Sequence, residues 1–323
     1  MIGARSPQPT ADQRSLATML APVLSEVCED RLGEISWFKA DWQRGGAATG
    51  LSTYRRDDGT ETPVVLKLPV VQRELTWIVR LQDPDDPDPV VPRLYASGST
   101  LGGYDLTWVV IERFPYGPLG LKWHDDHLTR IAEAAARFQA RACRFTVDRE
   151  PLAEPWDKLL RDAVESVKIN ALANDQRWAT ALKTLRSNLD AILTEWDARD
   201  TRQWLHGDLH LANAMSRHGM ESGSVSLIDL AEVRPGHWIE DAIYLERQLW
   251  VRPERLEHRK PVKEIAEARK RLGMPVEPAY PRLAMIRRAL LAATAPAFLR
   301  TEGHPRHLEA CLDWLERALG ELK

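Results

Sequence analysis

The sequence predicts an α+β fold in which an antiparallel sheet comes first and a larger, mostly helical part follows. Between residues 35 and 68, short β-prone runs alternate with turns, one of them the DDG turn at 57–59. Beyond residue 121, apolar residues recur at helical spacing in most segments. A sheet unit ahead of a helical unit is therefore the expected organisation.

The first part begins with a helix. Thr10 or Asp12 can cap it, and apolar residues follow at helical spacing as far as Val27. The remaining elements of this part are strands at 36–42, 51–56 and 62–69, a Gly-rich loop at 44–50, a helix at 70–82, a Pro- and Asp-rich connector at 83–92, and strands at 93–96 and 107–112.

Two prolines and two glycines between residues 112 and 120 indicate a hinge. The predicted domains are an N-terminal lobe at 1–112, the hinge at 113–120 and a C-terminal lobe at 121–323. Within the C-terminal lobe, helices are expected near 127–143, 156–169, 175–198, 240–250, 258–272, 280–299 and 305–321, and buried strands at 203–205 and 225–228.

Composition restricts the class of protein. With 323 residues, 44% of them hydrophobic, the chain has ample material for a core. A net charge of −3, with acids and bases interspersed, gives no reason to expect nucleic acid or a membrane surface as a partner. Three distant cysteines form neither a disulfide framework nor a metal cluster. We expect a cytoplasmic monomer or homodimer with reduced thiols.

The segment HGDLHLAN, residues 206–213, contains the chemically informative residues. Phosphoryl transfer needs an acid to orient the attacking hydroxyl and hard oxygen ligands to hold Mg²⁺. Asp208 can do the first, and Asn213 and Asp229 can do the second. A loop whose Asp and Asn only cap turns is the alternative. The order of His, Gly, Asp, His and Asn, followed by a hydrophobic strand that ends in Asp, favours the phosphoryl-transfer interpretation.

This segment resembles the catalytic and metal-binding loops of the aminoglycoside phosphotransferase and choline kinase family. The five-residue step from Asp208 to Asn213 is also that of the HRDLxxxN loop of protein kinases. The resemblance implies a protein-kinase-like bilobal fold, with a small antiparallel-sheet N-lobe, one or two helices and a larger helical C-lobe. It also implies ATP, or else GTP, and Mg²⁺ as cofactors.

The nucleotide side follows from the same resemblance. In the family, a Lys on the last strand before the first lobe helix contacts the α- and β-phosphates, and an acid from that helix holds it. Lys67 and Glu74 match these positions, although their seven-residue step leaves almost no connecting loop. Gly45 and Gly46 lie in a loop whose N–H groups could approach phosphate oxygens, with a plain hairpin turn as the alternative. Glu112, at the hinge, is assigned to the nucleotide with them.

The sequence says less about the part of the site that would bind the acceptor. Asp241 follows Asp229 by only twelve positions, which leaves no room for the activation segment of a protein kinase, so a small molecule is the expected acceptor. Acids at Glu240, Asp241 and Glu246 suit a cationic aminoglycoside. The basic segment 252–271 would favour an anionic or neutral acceptor if it lined the cleft, although its default interpretation is a solvated helix face.

In the family, the acid at the position of Asp241 caps a helix and braces the catalytic loop, whereas His237 and Trp238 depart from the family pattern. His206 is assigned a structural role, and His210 either a structural or a functional one. The sequence thus predicts an ATP- and Mg²⁺-dependent O-phosphotransferase that acts on a hydroxyl of an aminoglycoside-like antibiotic or a hydroxylated metabolite. The alternative is a catalytically inactive, nucleotide-binding kinase-like scaffold.

Overall fold

The computed structural model describes residues 11–38 and 47–322, with side chains of that part from residue 18 onward. The described chain forms two compact units. The first extends to Leu121 and also contains Ala212–Val233; the second contains Lys122–Leu211 and the chain from Arg234 onward. The short return of the chain to the first unit carries Asn213 and Asp229. The predicted lobe boundaries at 112 and 121 stay a prediction.

The first unit is built on an antiparallel sheet, in which the described strands have the order β1-β2-β3-β5-β4. Its elements are α1 (Ala11–Val27), β1 (Ser36–Phe38), β2 (Ala48–Arg55), β3 (Glu61–Leu68), α2 (Gln72–Arg80), β4 (Leu94–Gly98) and β5 (Trp108–Glu112). The fold class predicted from the sequence is confirmed, because this sheet precedes a mostly helical second unit.

The strand β3 shows why one face of the sheet is free for function. Val64, Leu66 and Leu68 are buried and belong to a hydrophobic cluster with Leu20 and Leu24 of α1. Side chains alternate between the two faces of a strand, so the intervening residues point away from this cluster. Burying one such Leu contributes about 1.5–3 kcal/mol, and the alternation therefore sets the orientation of β3 firmly.

The structure contains the predicted helix α1, but fewer of its apolar residues are buried than the sequence pattern suggests. Leu20 and Leu24 are buried, whereas Met19 is 71% exposed and Val27 is 46% exposed. Positions 20 and 24 are one helical turn apart and face the sheet together. Met19 and Val27 lie outside that stripe.

A two-stranded hairpin completes the first unit. β7 (Ala214–Ser216) pairs with β8 (Val225–Leu227), with Ala214 opposite Leu227. The backbone N–H of Leu227 donates to the carbonyl of Val90, in the connector between α2 and β4, at 2.7 Å. This bond attaches the hairpin to the rest of the unit.

The second unit contains most of the described helices. They are α3 (His127–Ala142), α4 (Trp156–Ile169), α5 (Asp175–Ser187), α6 (Leu189–Asp197), α7 (Ile239–Arg247), α8 (Pro261–Arg271), α9 (Tyr280–Thr294), α10 (Leu299–Glu302) and α11 (Pro305–Leu322). A short antiparallel pair joins β6 (Gln203–Leu205) to β9 (Arg234–Gly236). Among the described residues, no helix is both long and apolar enough to cross a membrane.

Two predicted helices are shorter than expected. The helix expected at 175–198 divides at Asn188, whose side-chain amide donates to the carbonyl of Thr184 at 2.9 Å and competes with the helical ladder. The helix expected at 280–299 ends at Thr294, because Pro296 lacks the N–H that would continue the hydrogen-bond ladder of the helix.

Candidate functional site

The first cluster of the candidate site is an ion pair between neighbouring elements. Lys67 Nζ donates to Glu74 Oε1 at 2.6 Å. Lys67 lies on the face of β3 opposite the hydrophobic cluster, and Glu74 lies in the first turn of α2. Only three residues, 69–71, separate the two elements, so the short step in the sequence brings the pair together. Both side chains are largely buried, at 16% and 4% exposed.

Asp229 approaches the same lysine. Its Oδ1 lies 3.8 Å from Lys67 Nζ, and its carboxylate is 42% exposed. Burial alone would lower the pKa of Lys67, but the carboxylates of Glu74 and Asp229 outweigh burial and raise it. Lys67 is therefore a cation at neutral pH, presented between a buried acid and an accessible one.

The β7–β8 hairpin places Asn213 beside the segment that leads to Asp229. The N–H of Ile228 donates to the carbonyl of Asn213 at 3.0 Å, which continues the hairpin ladder by one pair. Asn213 is buried, and Asp229 has φ +65°, a left-handed conformation that Asp tolerates better than most residues. Arg73 of α2 also donates to the carbonyl of Ala231 at 3.2 Å and ties α2 to this segment.

The donors at this position fit Mg²⁺. Carboxylate and amide oxygens are the hard ligands that Mg²⁺ prefers, and Mg²⁺ keeps several places for water and phosphate oxygens. Among the described residues, no group of three or more His, Cys, Asp or Glu side chains suits a metal ion. Asn213 and Asp229 together supply one amide and one partly exposed carboxylate, a set that suits a metal bound jointly with phosphates.

Two further nucleotide assignments have different outcomes. Gly45 and Gly46 lie outside the described residues, so their role stays a prediction. Glu112 lies at the end of β5, and its carboxylate accepts hydrogen bonds from Arg217 Nε at 2.8 Å and Nη2 at 2.7 Å. The backbone N–H of Arg93 donates to it as well, at 3.2 Å. The Glu112 carboxylate is thus already engaged within the first unit, and its contact with a nucleotide stays a prediction.

In the second unit, α7 holds the loop that contains His206, Gly207 and Asp208. Asp241 accepts the backbone N–H of His206 at Oδ2 and that of Gly207 at Oδ1, each at 2.9 Å. The brace implied by the family resemblance is therefore present. Asp241 does not cap the helix, because the N-cap position belongs to Trp238. His206 is fully buried and its Nδ1 accepts the N–H of Asp208 at 3.3 Å.

Asp208 lies beside His210 within this unit. His210 Nε2 lies 3.3 Å from its Oδ2, and the ring of Tyr244, on α7, lies 6.4 Å from the ring of His210 between centroids. Burial would raise the pKa of Asp208, but the contact with His210 and the nearby Tyr244 hydroxyl outweigh burial and lower it to about 2. Asp208 is thus an oriented carboxylate at neutral pH.

The acids that suggested a cationic acceptor are already paired. Glu240 bonds to Arg234 at 2.7 Å and to Arg199 at 3.2 Å, and Arg288 donates to both oxygens of Glu246 at 2.7 Å. The Asp241 carboxylate already accepts the backbone N–H groups of His206 and Gly207. These carboxylates are buried and satisfied, so they give no support to a polycationic acceptor.

Part of the basic segment 252–271 is paired as well. Arg259 lies 3.3 Å from Glu264, and Arg271 lies 3.0 Å from Glu133. Arg269 is fully buried and donates to Gln139 at 2.6 Å. The default interpretation of this segment, a solvated helix face, agrees with its exposed basic residues, whereas the buried Arg269 departs from it.

Comparison with known proteins assigns the chain to a family. The sequence profile of the phosphotransferase enzyme family matches residues 44–286, which include both clusters described above. The chain belongs to this family. No curated protein matches the sequence of this phosphotransferase.

Solved structures show the same fold. An aminoglycoside phosphotransferase from Alicyclobacillus acidocaldarius superposes with a TM-score of 0.60 at 16% identity, covering 99% of this chain and 97% of that one. A microcompartment-associated aminopropanol kinase gives 0.55 at 15% identity, covering 88% and 90%. A spectinomycin phosphotransferase, solved with ADP and spectinomycin, gives 0.51 at 12% identity, covering 93% of each chain. At these identities the likeness shows the fold of the phosphotransferase and nothing beyond it.

The pair that departs from the family pattern, His237 and Trp238, has a structural role that the sequence did not reveal. Both side chains of that pair are fully buried: His237 Nε2 lies 3.3 Å from Glu277, and Trp238 Nε1 lies 3.2 Å from the same carboxylate. They support the start of α7.

Proposed function

We propose that this phosphotransferase transfers the γ-phosphoryl group of ATP, with GTP as the other candidate donor, to a hydroxyl of a small molecule. The main observation in support of this proposal is that Lys67 Nζ lies 2.6 Å from Glu74 Oε1 and 3.8 Å from Asp229 Oδ1. A largely buried lysine between two carboxylates is the arrangement expected where phosphates and a metal ion bind together. The positive charge of the lysine attracts the phosphates, and a negative carboxylate attracts the metal ion.

The nucleotide would bind against the first unit. In this proposal Lys67 contacts the α- and β-phosphates, and Glu74 holds its side chain in place. Asn213 and Asp229 hold Mg²⁺, which on binding would neutralise charge on the phosphate oxygens. The ADP bound to the similar spectinomycin phosphotransferase supports a nucleotide donor.

Asp208 is the residue proposed to act on the acceptor. A carboxylate with a low pKa is a weak base, so its first task is to hold the acceptor hydroxyl by a hydrogen bond. As the oxygen–phosphorus bond forms and the bond to the leaving nucleoside diphosphate breaks, the hydroxyl becomes acidic and its proton passes to Asp208. The acceptor hydroxyl is thus oriented before the transfer begins and loses its proton late in the transfer. This order suits the loose transition state of phosphoryl transfer.

A small acceptor is supported by the chain that follows Asp229. Only β9 and a short helical turn separate Asp229 from α7, so the described chain has no segment here that could present a peptide. The similar structures include a spectinomycin phosphotransferase and an aminopropanol kinase. An aminoglycoside-like antibiotic and a hydroxylated metabolite both remain within the proposal. Since the nearby acids are paired, the structure offers no preference for a polycation.

The scaffold alternative gains no support from the described residues. An inactive scaffold has no use for an oriented, ionised Asp208, and none for an accessible Asp229 beside Lys67. The contacts of both clusters therefore favour the enzyme.

The test is a screen of hydroxyl compounds for consumption of ATP in the presence of Mg²⁺. Turnover should appear with at least one compound and be lost in Asp208→Ala. Lys67→Met should raise the KM for MgATP at least tenfold, whereas Lys158→Met, which removes an exposed lysine paired with Asp162, should not. Undiminished transfer by Asp208→Ala, or no binding of MgATP to the wild-type chain, would overturn the proposal.

A further inference from the structure

Two consecutive residues of α2 contact both sides of the cluster around Lys67. Glu74 Oε1 accepts a hydrogen bond from Lys67 Nζ at 2.6 Å, and Arg73 Nη1 donates to the backbone carbonyl of Ala231 at 3.2 Å. Ala231 comes two residues after Asp229, the proposed Mg²⁺ ligand. All of these residues belong to the first unit. The start of α2 therefore holds both the lysine and the segment that carries Asp229.

The backbone at Asp229 needs support from its neighbours. Its φ of +65° lies in the left-handed region, and a residue with a Cβ keeps such a conformation where surrounding contacts enforce it. On the N-terminal side, the N–H of Ile228 donates to the carbonyl of Asn213 at 3.0 Å. On the C-terminal side, the carbonyl of Ala231 accepts the bond from Arg73. Asp229 is thus held from both directions along the chain.

The carbonyl of Ala231 needs a donor from another element. Leu230–Glu232 form a short helical turn, which is closed by the bond from the N–H of Val233 to the carbonyl of Leu230 at 3.4 Å. The last carbonyls of a helical turn have no partner within it. Arg73 supplies the donor for Ala231. Because the Leu230 side chain is fully buried, the turn is anchored both by packing and by this bond from α2.

The bond to Ala231 is a better explanation of Arg73 than packing. The residues that α2 buries are Glu74, Leu75, Trp77 and Ile78. Arg73 is exposed on the same helix, so its side chain adds little to the core. Its bond reaches a residue 158 positions later in the chain. The contact therefore fixes where the later segment lies relative to α2.

We propose that Arg73 is a positioning residue for Asp229, through the carbonyl of Ala231. It keeps the Asp229 carboxylate beside Lys67, 3.8 Å from Nζ, where the carboxylate can take up Mg²⁺ together with phosphate oxygens. This inference rests on the proposed function. Glu74 holds the cation and Arg73 holds the metal-ligand segment, so α2 sets the spacing between the two. Arg73 itself contacts neither the nucleotide nor the metal ion in this proposal.

The first experiment separates this role from a direct contact between Arg73 and the phosphates. Calorimetry on the full chain measures the Kd for ADP with and without Mg²⁺. Arg73→Met should leave the Kd for ADP alone unchanged and raise the Kd for ADP with Mg²⁺ by roughly threefold to tenfold, the effect of losing one hydrogen bond. Arg73→Lys, which keeps a charged donor, should recover part of this loss.

The matched control for this experiment is Arg55→Met. Arg55 makes the same kind of contact in the same unit, because its Nη2 donates to the backbone carbonyl of Asp30 at 3.3 Å. It lies at the end of β2 that pairs with Glu61, six residues along β3 from Lys67. Neither Kd should change in Arg55→Met. Weaker binding of ADP without Mg²⁺ in Arg73→Met would show a direct contact and overturn the inference, and so would unchanged binding in both conditions.

The second experiment needs no ligand. Hydrogen exchange of the ligand-free chain, followed by mass spectrometry, reports local opening of the segment 228–233. Arg73→Met should speed exchange in this segment by roughly threefold to tenfold and leave the peptides of the second unit unchanged. Arg55→Met should leave the segment 228–233 as in the wild type.

Two results of the exchange experiment would overturn the inference. An unchanged rate at 228–233 in Arg73→Met would show that the bond to Ala231 does not hold the segment. A rise throughout the chain would show a general role in the fold. If the wild type binds no ADP with Mg²⁺, the proposed function fails, and the hold of Arg73 on this segment is then decided by hydrogen exchange alone.

Discussion

Arg217 donates to both carboxylate oxygens of Glu112, although the two residues are 105 positions apart in the chain. Arg217 also donates to Asp88 at 3.0 Å and to the Ser226 hydroxyl of β8 at 2.5 Å. One guanidinium therefore joins the end of β5, the connector 83–92 and the hairpin that leads to Asp229. Such forked contacts depend on the planar geometry of arginine.

Replacing this arginine should weaken the first unit. Arg217→Met leaves two carboxylates without their cation, and we expect a loss of about 3 kcal/mol in the free energy of unfolding. Arg217→Lys should recover only part of that loss, since an ammonium group cannot bond in a fork. Urea denaturation measures both. Arg202→Met is the control, because Arg202 is 84% exposed and its pair with Asp200 is worth at most about 1 kcal/mol. Equal losses in Arg217→Met and Arg202→Met would contradict this account.

Glu74→Gln should weaken nucleotide binding more than it weakens the fold. The amide keeps the shape of the side chain but removes one of two negative charges beside Lys67, so the pKa of Lys67 falls and its side chain is held less firmly. We expect the KM for MgATP to rise roughly tenfold, the effect of losing one charge-assisted hydrogen bond. Steady-state kinetics measures it. Glu133→Gln, which removes a surface partner of Arg271, should leave the KM as in the wild type; if both variants behave alike, Glu74 does not hold Lys67.

Stability at acid pH should depend on Glu240. Burial would raise the pKa of this carboxyl, but the charges of Arg287, Arg234 and Arg199 outweigh burial and lower it to about 2. A depressed folded pKa gives stability that is present above the unfolded value of about 4.3 and is lost as the pH falls towards 2, worth about 3 kcal/mol.

Unfolding curves collected between pH 7 and pH 2 test this dependence. The free energy of unfolding of the wild type should fall through this range, steeply below pH 4. Glu240→Gln should be less stable at pH 7, because three arginines lose their shared anion, and its stability should fall less as the pH is lowered. An identical pH slope in both proteins would show that Glu240 is not the group responsible.

Gly236→Ala should disturb β9, which pairs with the strand β6 just before His206. A Cβ at this position would lie 2.5 Å from Leu205 Cδ1 and 2.8 Å from Glu240 Oε1, and the arginine partners of Glu240 restrict its movement. We expect a loss of about 1–3 kcal/mol, the usual cost of overpacking. Thermal unfolding measures it.

Gly320→Ala is the matched control for that substitution. A Cβ at Gly320 meets nothing within 4 Å, and the residue lies inside α11. Alanine should therefore stabilise the chain by about 0.5–1 kcal/mol. A Tm that fell as far in Gly320→Ala as in Gly236→Ala would remove the steric explanation.

Features that depend on neighbouring residues in the chain could be predicted from the sequence. The helices and the sheet follow from local periodicity, and Lys67 and Glu74 lie on adjacent elements with almost no loop between them. The strand that leads to Asp229 could be predicted for the same reason, because its apolar run is local in the sequence. Each of these features is decided within a few residues.

Features that depend on distant contacts could not be predicted in this way. β9 contains Pro235 and has no strand pattern of its own; it is a strand because it pairs with β6. Glu240 is paired with Arg234 and with Arg199, which lies 41 positions earlier in the chain. Acids that look available in the sequence are therefore already paired in the fold.

The two faces of β3 have a consequence for insertions and deletions. Leu66 and Lys67 are consecutive, yet one belongs to the hydrophobic cluster and the other to the ion pair. Losing a single residue early in this strand would exchange the faces, sending a lysine towards α1 and a leucine towards Glu74. Losing two residues would return each side chain to its original face of the strand. Length variation in this strand should therefore be tolerated only in steps of two, a parity rule that sequences of natural variants can be checked against.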